Sequence, residues 1–172
     1  NHFRKNVIKE VDGITYKLNL NEDIDSSIYM GGCFEPQITH AIKKITNVGD
    51  TVFDIGANIG AHTLQFSKLI GQEGRVIAFE PTKYAYEKIQ SNIALNSKFS
   101  KNITLEKKAA SNKTVNDQTI RFKSSWIIYG EQKKLNEEVV DFVTLDDYCK
   151  TENIEKMDIL KIDVDGLEPD II

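Results

Sequence analysis

Apolar and polar residues alternate with a period of two at the start of the chain and then change to helical spacing. The segments Val7–Val11 and Ile14–Leu18 flank Asp12-Gly13, a dipeptide that permits the positive φ angles of a type I′ turn. We therefore expect a β-hairpin. After the Gly31-Gly32 loop, Pro36 begins a predicted helix. Its apolar residues share one face: Ile38, Ala41, Ile42 and Ile45.

Strand and helix patterns alternate through the middle of the chain. Apolar runs predict three strands: Val52–Ile55, Arg75–Glu80 and Ile103–Ala109. The helices between them run from Ala61 to Leu69, and from the cap residue Thr82 to about Asn96. Four residues of the second helix are expected to face inward: Tyr86, Ile89, Ile93 and Ala94. This β-α-β-α-β order predicts a doubly wound α/β domain with a mostly parallel sheet.

The pattern changes in residues 111–143, where an antiparallel insertion is expected. Alternating segments predict two strands, at Thr119–Phe122 and Val139–Val143. The aromatic run Trp126–Tyr129 between them would line either a substrate mouth or a small satellite core. Thr144 then begins a short helix that ends near Lys150.

We interpret residues 1–172 as a single domain with four parts. The parts are an N-terminal hairpin and helix (1–48), a β-α-β-α-β unit (49–110), the insertion (111–143), and a helix, a fourth parallel strand and the following turn (144–172). The fourth strand is the buried run Met157–Val164.

Composition narrows the class of protein. A net charge of −4 and a pI near 5.4 give no broad basic surface, so we expect no nucleic-acid partner. No apolar run is long enough to cross a membrane, and we expect no membrane partner. Cys33 and Cys149 are far apart and lack metal-ligand spacing. We therefore predict reduced thiols, no metal site and a cytoplasmic location.

The chemistry-bearing turn begins where the first parallel strand ends in an acid. Asp54 stands at the strand tip, and the turn from Gly56 through Asn58 to Gly60 leads into a helix. A carboxylate attracts a cation and repels a diphosphate, so the turn favours S-adenosylmethionine over NAD. Gly56 allows a tight turn, and Gly60 allows the helix to pack closely on the strand. A purely structural turn is the alternative.

The next two strand ends extend this interpretation. Glu80 is placed where a carboxylate accepts hydrogen bonds from both ribose hydroxyls, although a surface acid before Pro81 is the alternative. Ala109 and its small neighbours would let a flat adenine ring lie against the third strand. Simple helix–sheet packing explains them equally well.

Acids also follow the fourth strand. Lys161 and Asp163 share one face of it, and Asp165 lies in the turn beyond. Because ligands of doubly wound sheets bind at the carboxyl ends of the strands, Asp163 or Asp165 would accept a substrate proton or orient a hydroxyl. An ion pair between Lys161 and Asp163 with a turn acid is the alternative.

Two further polar residues are candidates near this edge. His62 follows the glycine turn and either faces a ligand cleft or is an exposed or capped helix residue. Glu35 is either a helix-start acid or reaches over a cofactor. His40 is expected at the surface.

Five segments together resemble the FkbM family of class I S-adenosylmethionine-dependent methyltransferases. They are Gly32–Pro36, Asp54–Gly60, Arg75–Pro81, Thr144–Tyr148 and Asp158–Pro169. The resemblance covers roughly residues 30–172, and it implies a Rossmann-like methyltransferase fold that methylates a hydroxyl of a sugar, glycan or natural product.

The resemblance also assigns roles by position. Asp54, Gly56, Asn58 and Gly60 would line the methionine end of S-adenosylmethionine, and Glu80 would bind its ribose. Such folds have seven strands, whereas this chain stops after the fourth parallel one. We therefore expect a C-terminally truncated domain whose open sheet edge favours self-association. An NAD-dependent oxidoreductase and a catalytically silent binding module remain alternatives.

Overall fold

The computed structural model describes residues 6–123, 135–164 and 168–171, and these form nine strands, five α-helices and two short 3₁₀ helices. The strands are β1 (Asn6–Val11), β2 (Ile14–Asn19), β3 (Thr51–Ile55), β4 (Arg75–Phe79), β5 (Ile103–Glu106), β6 (Lys108–Ala110), β7 (Val115–Lys123), β8 (Leu135–Val143) and β9 (Ile159–Ile162). The α-helices are α1 (Asp23–Gly31), α2 (Pro36–Ile45), α3 (Ala61–Ile70), α4 (Lys83–Leu95) and α5 (Leu145–Thr151). The 3₁₀ helices are Ser100–Asn102 and Glu168–Asp170.

The central sheet contains four parallel strands in the order β5-β4-β3-β9. The inner strands β3 and β4 are almost continuously apolar and nearly inaccessible to solvent, as parallel strands covered on both faces must be. Phe66 and Ile70 of α3 pack on one face, and Tyr148 of α5 packs against Phe53 and Phe79 on the other. All four carboxyl ends therefore meet at one edge, which we call the strand-end edge.

The N-terminal hairpin forms as predicted. Asp12 and Gly13 both have positive φ, 50° and 69°, at the turn between β1 and β2. Helix α1 was not predicted. Its sequence is polar and contains β-branched residues with weak helix propensity, and it is stabilised by packing Ile24 and Ile28 against the hairpin.

The third predicted strand is divided in the structure. β5 ends at Glu106, and Lys108–Ala110 forms β6, which pairs in parallel with β8 in a separate sheet of order β6-β8-β7. The predicted antiparallel pairing of β7 with β8 is confirmed. Trp126–Tyr129 lies outside the described residues.

Burial corrects two of the predicted helix faces. Ala94 is exposed, and Asn92 and Asn96 are buried in its place because they bond the backbone of β2. On α2, Ile42 and Thr39 are buried, whereas Ile38 and Ile45 are exposed.

Among the described residues, none of the helices has the length and apolar character that a membrane span requires.

Candidate functional site

The turn after β3 requires glycine at its first position. Gly56 has φ 78°, and a Cβ added there would lie 1.9 Å from the carbonyl oxygen of Asp163. The N–H groups of Gly56 and Ala57 both donate to the carbonyl of Phe79 on the neighbouring strand. The turn is therefore fastened to β4 and to the end of β9, and a side chain at position 56 would separate them.

The second glycine of the turn has a different neighbour from the one expected. Gly60 has φ 85° at the start of α3, and a Cβ there would lie 2.7 Å from Cγ1 of Ile89. Its lack of a side chain thus lets the turn pack on α4 rather than on a strand. Asn58, between the glycines, has φ 49°, a conformation that asparagine tolerates better than most residues.

Glu80 is buried beside this turn, and its side chain holds two segments together. Oε2 accepts a hydrogen bond from the N–H of Asn58 at 2.9 Å. Oε1 accepts from the N–H of Thr82 at 3.0 Å and from its hydroxyl at 2.6 Å. Burial raises the pKa of Glu80, and these hydrogen bonds oppose the rise. One acceptor site of the carboxylate is left over, and the Thr82 hydroxyl is a donor that a ligand hydroxyl can replace.

Asp54 is fully buried, and its charge is already compensated. The hydroxyl of Thr63 donates to Oδ2 at 2.6 Å, and Nζ of Lys161 lies 3.1 Å from Oδ1. Lys161 is directly opposite Asp54 in the register of β9 and β3. Burial opposes the charge on Lys161, but the carboxylates of Asp54 and Asp163 outweigh it and raise its pKa. The ion pair with Asp54 was not predicted, because it depends on strand register.

Asp163 lies at the strand-end edge, as its position after β9 predicts. Its N–H donates to the carbonyl of Ile55, and its half-exposed carboxylate lies 3.6 Å from Nζ of Lys161. The contact between Lys161 and Asp163 that the sequence suggested is therefore present. Asp165, the other proposed catalytic acid, lies outside the described residues.

His62 and Glu35 meet at the same edge. His62 is 4% exposed, so the expectation of an exposed helix residue is wrong. Its Nε2 lies 4.0 Å from Oε2 of Glu35, and its ring contacts that of Phe34. Burial lowers the pKa of His62, and the charges of Asp54 and Lys161 act in opposite directions on it. Glu35 begins α2 but makes no side-chain capping bond.

Ala109 is not at the end of the third central strand. It lies in β6, in register with Phe142 of β8, three residues beyond the last residue of β5. The strand end itself is Glu106, whose carbonyl accepts from the N–H of Glu80. The small residues that suggested an adenine platform thus belong to the second sheet.

His40 is exposed as predicted, and both cysteines are free thiols.

Comparison with protein families gives one match over most of the chain. The model of the methyltransferase FkbM domain matches residues 54–172, which includes the glycine turn, Glu80 and the end of β9. No curated protein sequence matches the chain.

Solved structures share the fold at low identity. The TYW2 protein of M. jannaschii, solved with AdoMet, is 22% identical with a TM-score of 0.50, and the match covers 69% of this chain and 49% of that one. Methyltransferase FkbM from Methylobacillus flagellatus KT is 17% identical with a TM-score of 0.45, covering 77% and 34%. A complex of aTrm5 with tRNALeu gives 20% identity and a TM-score of 0.46, covering 61% and 28%. This chain spans 39% to 49% of the length of three solved structures that it matches.

Proposed function

We propose, from the premise that this chain belongs to the FkbM family of S-adenosylmethionine-dependent methyltransferases, that it methylates a hydroxyl of a sugar, glycan or natural product. The Rossmann-like fold predicted from the sequence agrees with this family. The observation that carries the proposal is the fastened turn at Gly56 beside the buried carboxylate of Glu80, both within the family match.

The residues around the turn fit the cofactor of this family. Glu80 would accept hydrogen bonds from the ribose, with the Thr82 hydroxyl giving up its place. Asn58 and the glycines would line the methionine end, where the first N–H groups of α3 favour a carboxylate. S-adenosylmethionine supplies a methyl group on a positively charged sulfur.

Asp54 would support the cofactor site indirectly, from inside the sheet. It has no exposed surface, and Lys161 compensates its charge, so we propose an indirect role in which Asp54 fixes Thr63 and Lys161 below the turn. Ala109 stays a proposal for the adenine side, from β6 rather than from the central sheet.

The acids after β9 are the proposed catalytic groups. The carboxylate of Asp163 is accessible and lies at the edge where a substrate would approach. It would orient the acceptor hydroxyl or take its proton, and Asp165 keeps the same proposed role from its position in the sequence. Holding the hydroxyl oxygen in line with the donor would supply most of the acceleration.

The proposed partner is a small-molecule or glycan acceptor, in the cytoplasm, without metal, nucleic acid or membrane. A net charge of −4 supports the exclusion of nucleic acid. Because one of the solved structures is a complex with tRNA, the test of the acceptor includes RNA.

β9 has only β3 as a neighbour among the described strands, and Leu160 on it is 39% exposed. We propose self-association through this edge, which size-exclusion chromatography would test; a monomer at all concentrations would contradict it.

Calorimetric titration with S-adenosylhomocysteine tests the cofactor site. We expect binding to the unaltered chain and loss of binding in the double variant Asp54→Ala, Glu80→Ala. Glu73→Gln, an exposed acid before β4, is the matched control. Unchanged binding by the double variant would overturn the site, and binding of NADH instead would favour an oxidoreductase.

Transfer of a labelled methyl group tests the reaction. Pools of hydroxylated glycans, hydroxylated natural products and tRNA are offered separately. Incorporation into the first or second pool supports the proposal, and incorporation into tRNA alone contradicts its acceptor class. Binding without transfer to any pool would identify a silent binding module.

A further inference from the structure

A buried imidazole nitrogen at the strand-end edge has no hydrogen-bond partner. Nε2 of His62 is inaccessible to solvent and makes no hydrogen bond within the described part of the chain. An unsatisfied buried polar group costs about 1–3 kcal/mol, so its retention calls for a reason. The carboxylate of Glu35 lies opposite it, with Oε2 4.0 Å away, beyond the range of a direct hydrogen bond.

The backbone of Glu35 has a strained conformation at the start of α2. Its φ is 44° and its ψ is 78°, in the left-handed region that non-glycine residues seldom adopt. Such a conformation costs about 1–3 kcal/mol. The carboxylate makes no capping bond to α2. It is 41% exposed, so Glu35 is accessible to a substrate whereas His62 is not.

Charged groups on two strands and on the segment after β9 act on this pair. Asp54 on β3, Lys161 on β9 and Asp163 after β9 all act on His62. Burial lowers the pKa of His62 from its usual 6.5. Burial, and after it the charge of Asp163, raises the pKa of Glu35 from 4.5, and the charge of Lys161 opposes this rise without cancelling it. The two groups therefore approach each other in proton affinity, which suits them to share one proton.

Asp163 is differently placed for proton transfer. It has Lys161 within 3.6 Å, whereas no lysine or arginine among the described residues lies within 4.0 Å of Glu35. Lys161 acts on Glu35 only from beyond this distance. A carboxylate with no cation in direct contact is the better group to receive a proton, and one in contact with a lysine is the better group to orient a hydroxyl.

We propose that Glu35 and His62 form a proton-holding pair, in which Glu35 takes the proton of the acceptor hydroxyl and His62 then holds it. This inference rests on the proposed methyltransferase function. As the hydroxyl oxygen gains the methyl group, the sulfonium becomes a neutral thioether and the hydroxyl proton passes to Glu35. Closing the 4.0 Å gap carries it to Nε2, leaving an imidazolium beside a carboxylate. Glu35 is the catalytic residue, and His62 is a positioning residue.

NMR titration of the imidazole groups in the whole chain tests the pair without any acceptor. A nearby carboxylate favours the imidazolium, so Glu35→Gln should lower the pKa of His62 by about one unit. Glu35→Asp, which keeps the charge, should lower it less. Glu73→Gln is the matched control, and exposed His40 is an internal reference that should not move. The same titration of His62 in Glu35→Gln and in the unaltered chain would overturn the pair.

Kinetics with the acceptor found in the methyl-transfer screen tests the use of the pair. Glu35→Gln should lower kcat about 10²-fold or more, with KM for S-adenosylmethionine unchanged. His62→Asn should lower kcat less than Glu35→Gln does, and it should remove the acidic limb of the pH profile of kcat. Glu35→Asp should retain part of the rate that Glu35→Gln loses. A kcat of Glu35→Gln within twofold of the original would exclude the catalytic role.

Failure of this inference is distinguishable from failure of the proposed function. If S-adenosylhomocysteine does not bind or no pool is methylated, the proposed function fails while the NMR result still decides the pair. If binding and transfer are intact in Glu35→Gln, only the pair is wrong.

Discussion

Two lysines of this protein are each buried between two carboxylates, and their surroundings differ. Lys88 on α4 lies 2.7 Å from both Glu22 and Asp25, and all three side chains are nearly inaccessible. Lys161 on β9 lies between fully buried Asp54 and half-exposed Asp163, at 3.1 and 3.6 Å. We call them the Lys88 cluster and the Lys161 cluster.

The hydrogen bonds in and around the two clusters indicate a structural role for the Lys88 cluster and a binding role for the Lys161 cluster. In the Lys88 cluster, Glu22 also accepts from Asn19 and Tyr84, and Asp25 accepts from the backbone of Asn19. Beside the Lys161 cluster, His62 leaves a nitrogen unbonded. A cluster whose acceptors are all satisfied stabilises the fold, whereas one with contacts left open has capacity for a ligand or a proton.

Removing Lys88 should have the largest effect on stability. Lys88→Met would leave two carboxylates buried without a counter-ion, and we expect the free energy of unfolding to fall by about 3–5 kcal/mol. Urea denaturation measures it. The matched control is Lys83→Met on the same helix, whose exposed pair with Glu87 should contribute no more than about 0.5 kcal/mol. Equal losses in the two variants would contradict a structural role for the Lys88 cluster.

Removing Lys161 should affect stability less and binding more. In Lys161→Met, Asp163 stays solvated and Asp54 keeps its bond from Thr63, so we expect a loss of about 3 kcal/mol. The affinity for S-adenosylhomocysteine, measured by calorimetry on the folded fraction, should fall at least about tenfold because Asp54 and Asp163, on either side of the turn, lose the cation between them. Lys88→Met should keep that affinity, and a reversed pattern would exchange the roles of the clusters.

Acid should weaken ligand binding through Glu80. Burial raises its pKa above the usual 4.5, so the carboxylate takes up a proton at higher pH than an exposed glutamate would. The affinity for S-adenosylhomocysteine should therefore be constant above this raised pKa and fall about tenfold per pH unit below it. Calorimetry across this range measures the effect. Glu80→Gln should bind weakly at every pH, and a pH dependence that survives in it would assign the proton to another group.

The smallest effect should come from the edge of the Lys88 cluster. Tyr84→Phe removes one hydrogen bond to Glu22, whose bonds from Lys88 and Asn19 remain. We therefore expect the free energy of unfolding, measured by urea denaturation, to fall by about 1 kcal/mol. Ligand affinity should not change. A loss as large as that of Lys88→Met would mean that the hydroxyl, rather than the lysine, holds the cluster together.

Local patterns were sufficient for most elements and failed where burial depends on distant residues. The hairpin turn, the cap of α5 by Thr144 and the alternation of β3 to β5 follow from short-range preferences, and the structure has them. Helix α1 was missed because its stability comes from contact with the hairpin. The division between β5 and β6 was missed because one continuous β-forming run pairs with two different sheets.

The sequence by itself determined the alternation of strands and helices from β3 to β5, the glycine turn and the acids at the strand ends, because each depends on residues within a few positions. Only the tertiary structure decided that Lys161 compensates Asp54 and that Glu35 faces His62. These partners are far apart in the chain, and the register of β3 with β9 and the start of α2 bring them together. Sequence therefore located the candidate site, and strand pairing determined the charges within it.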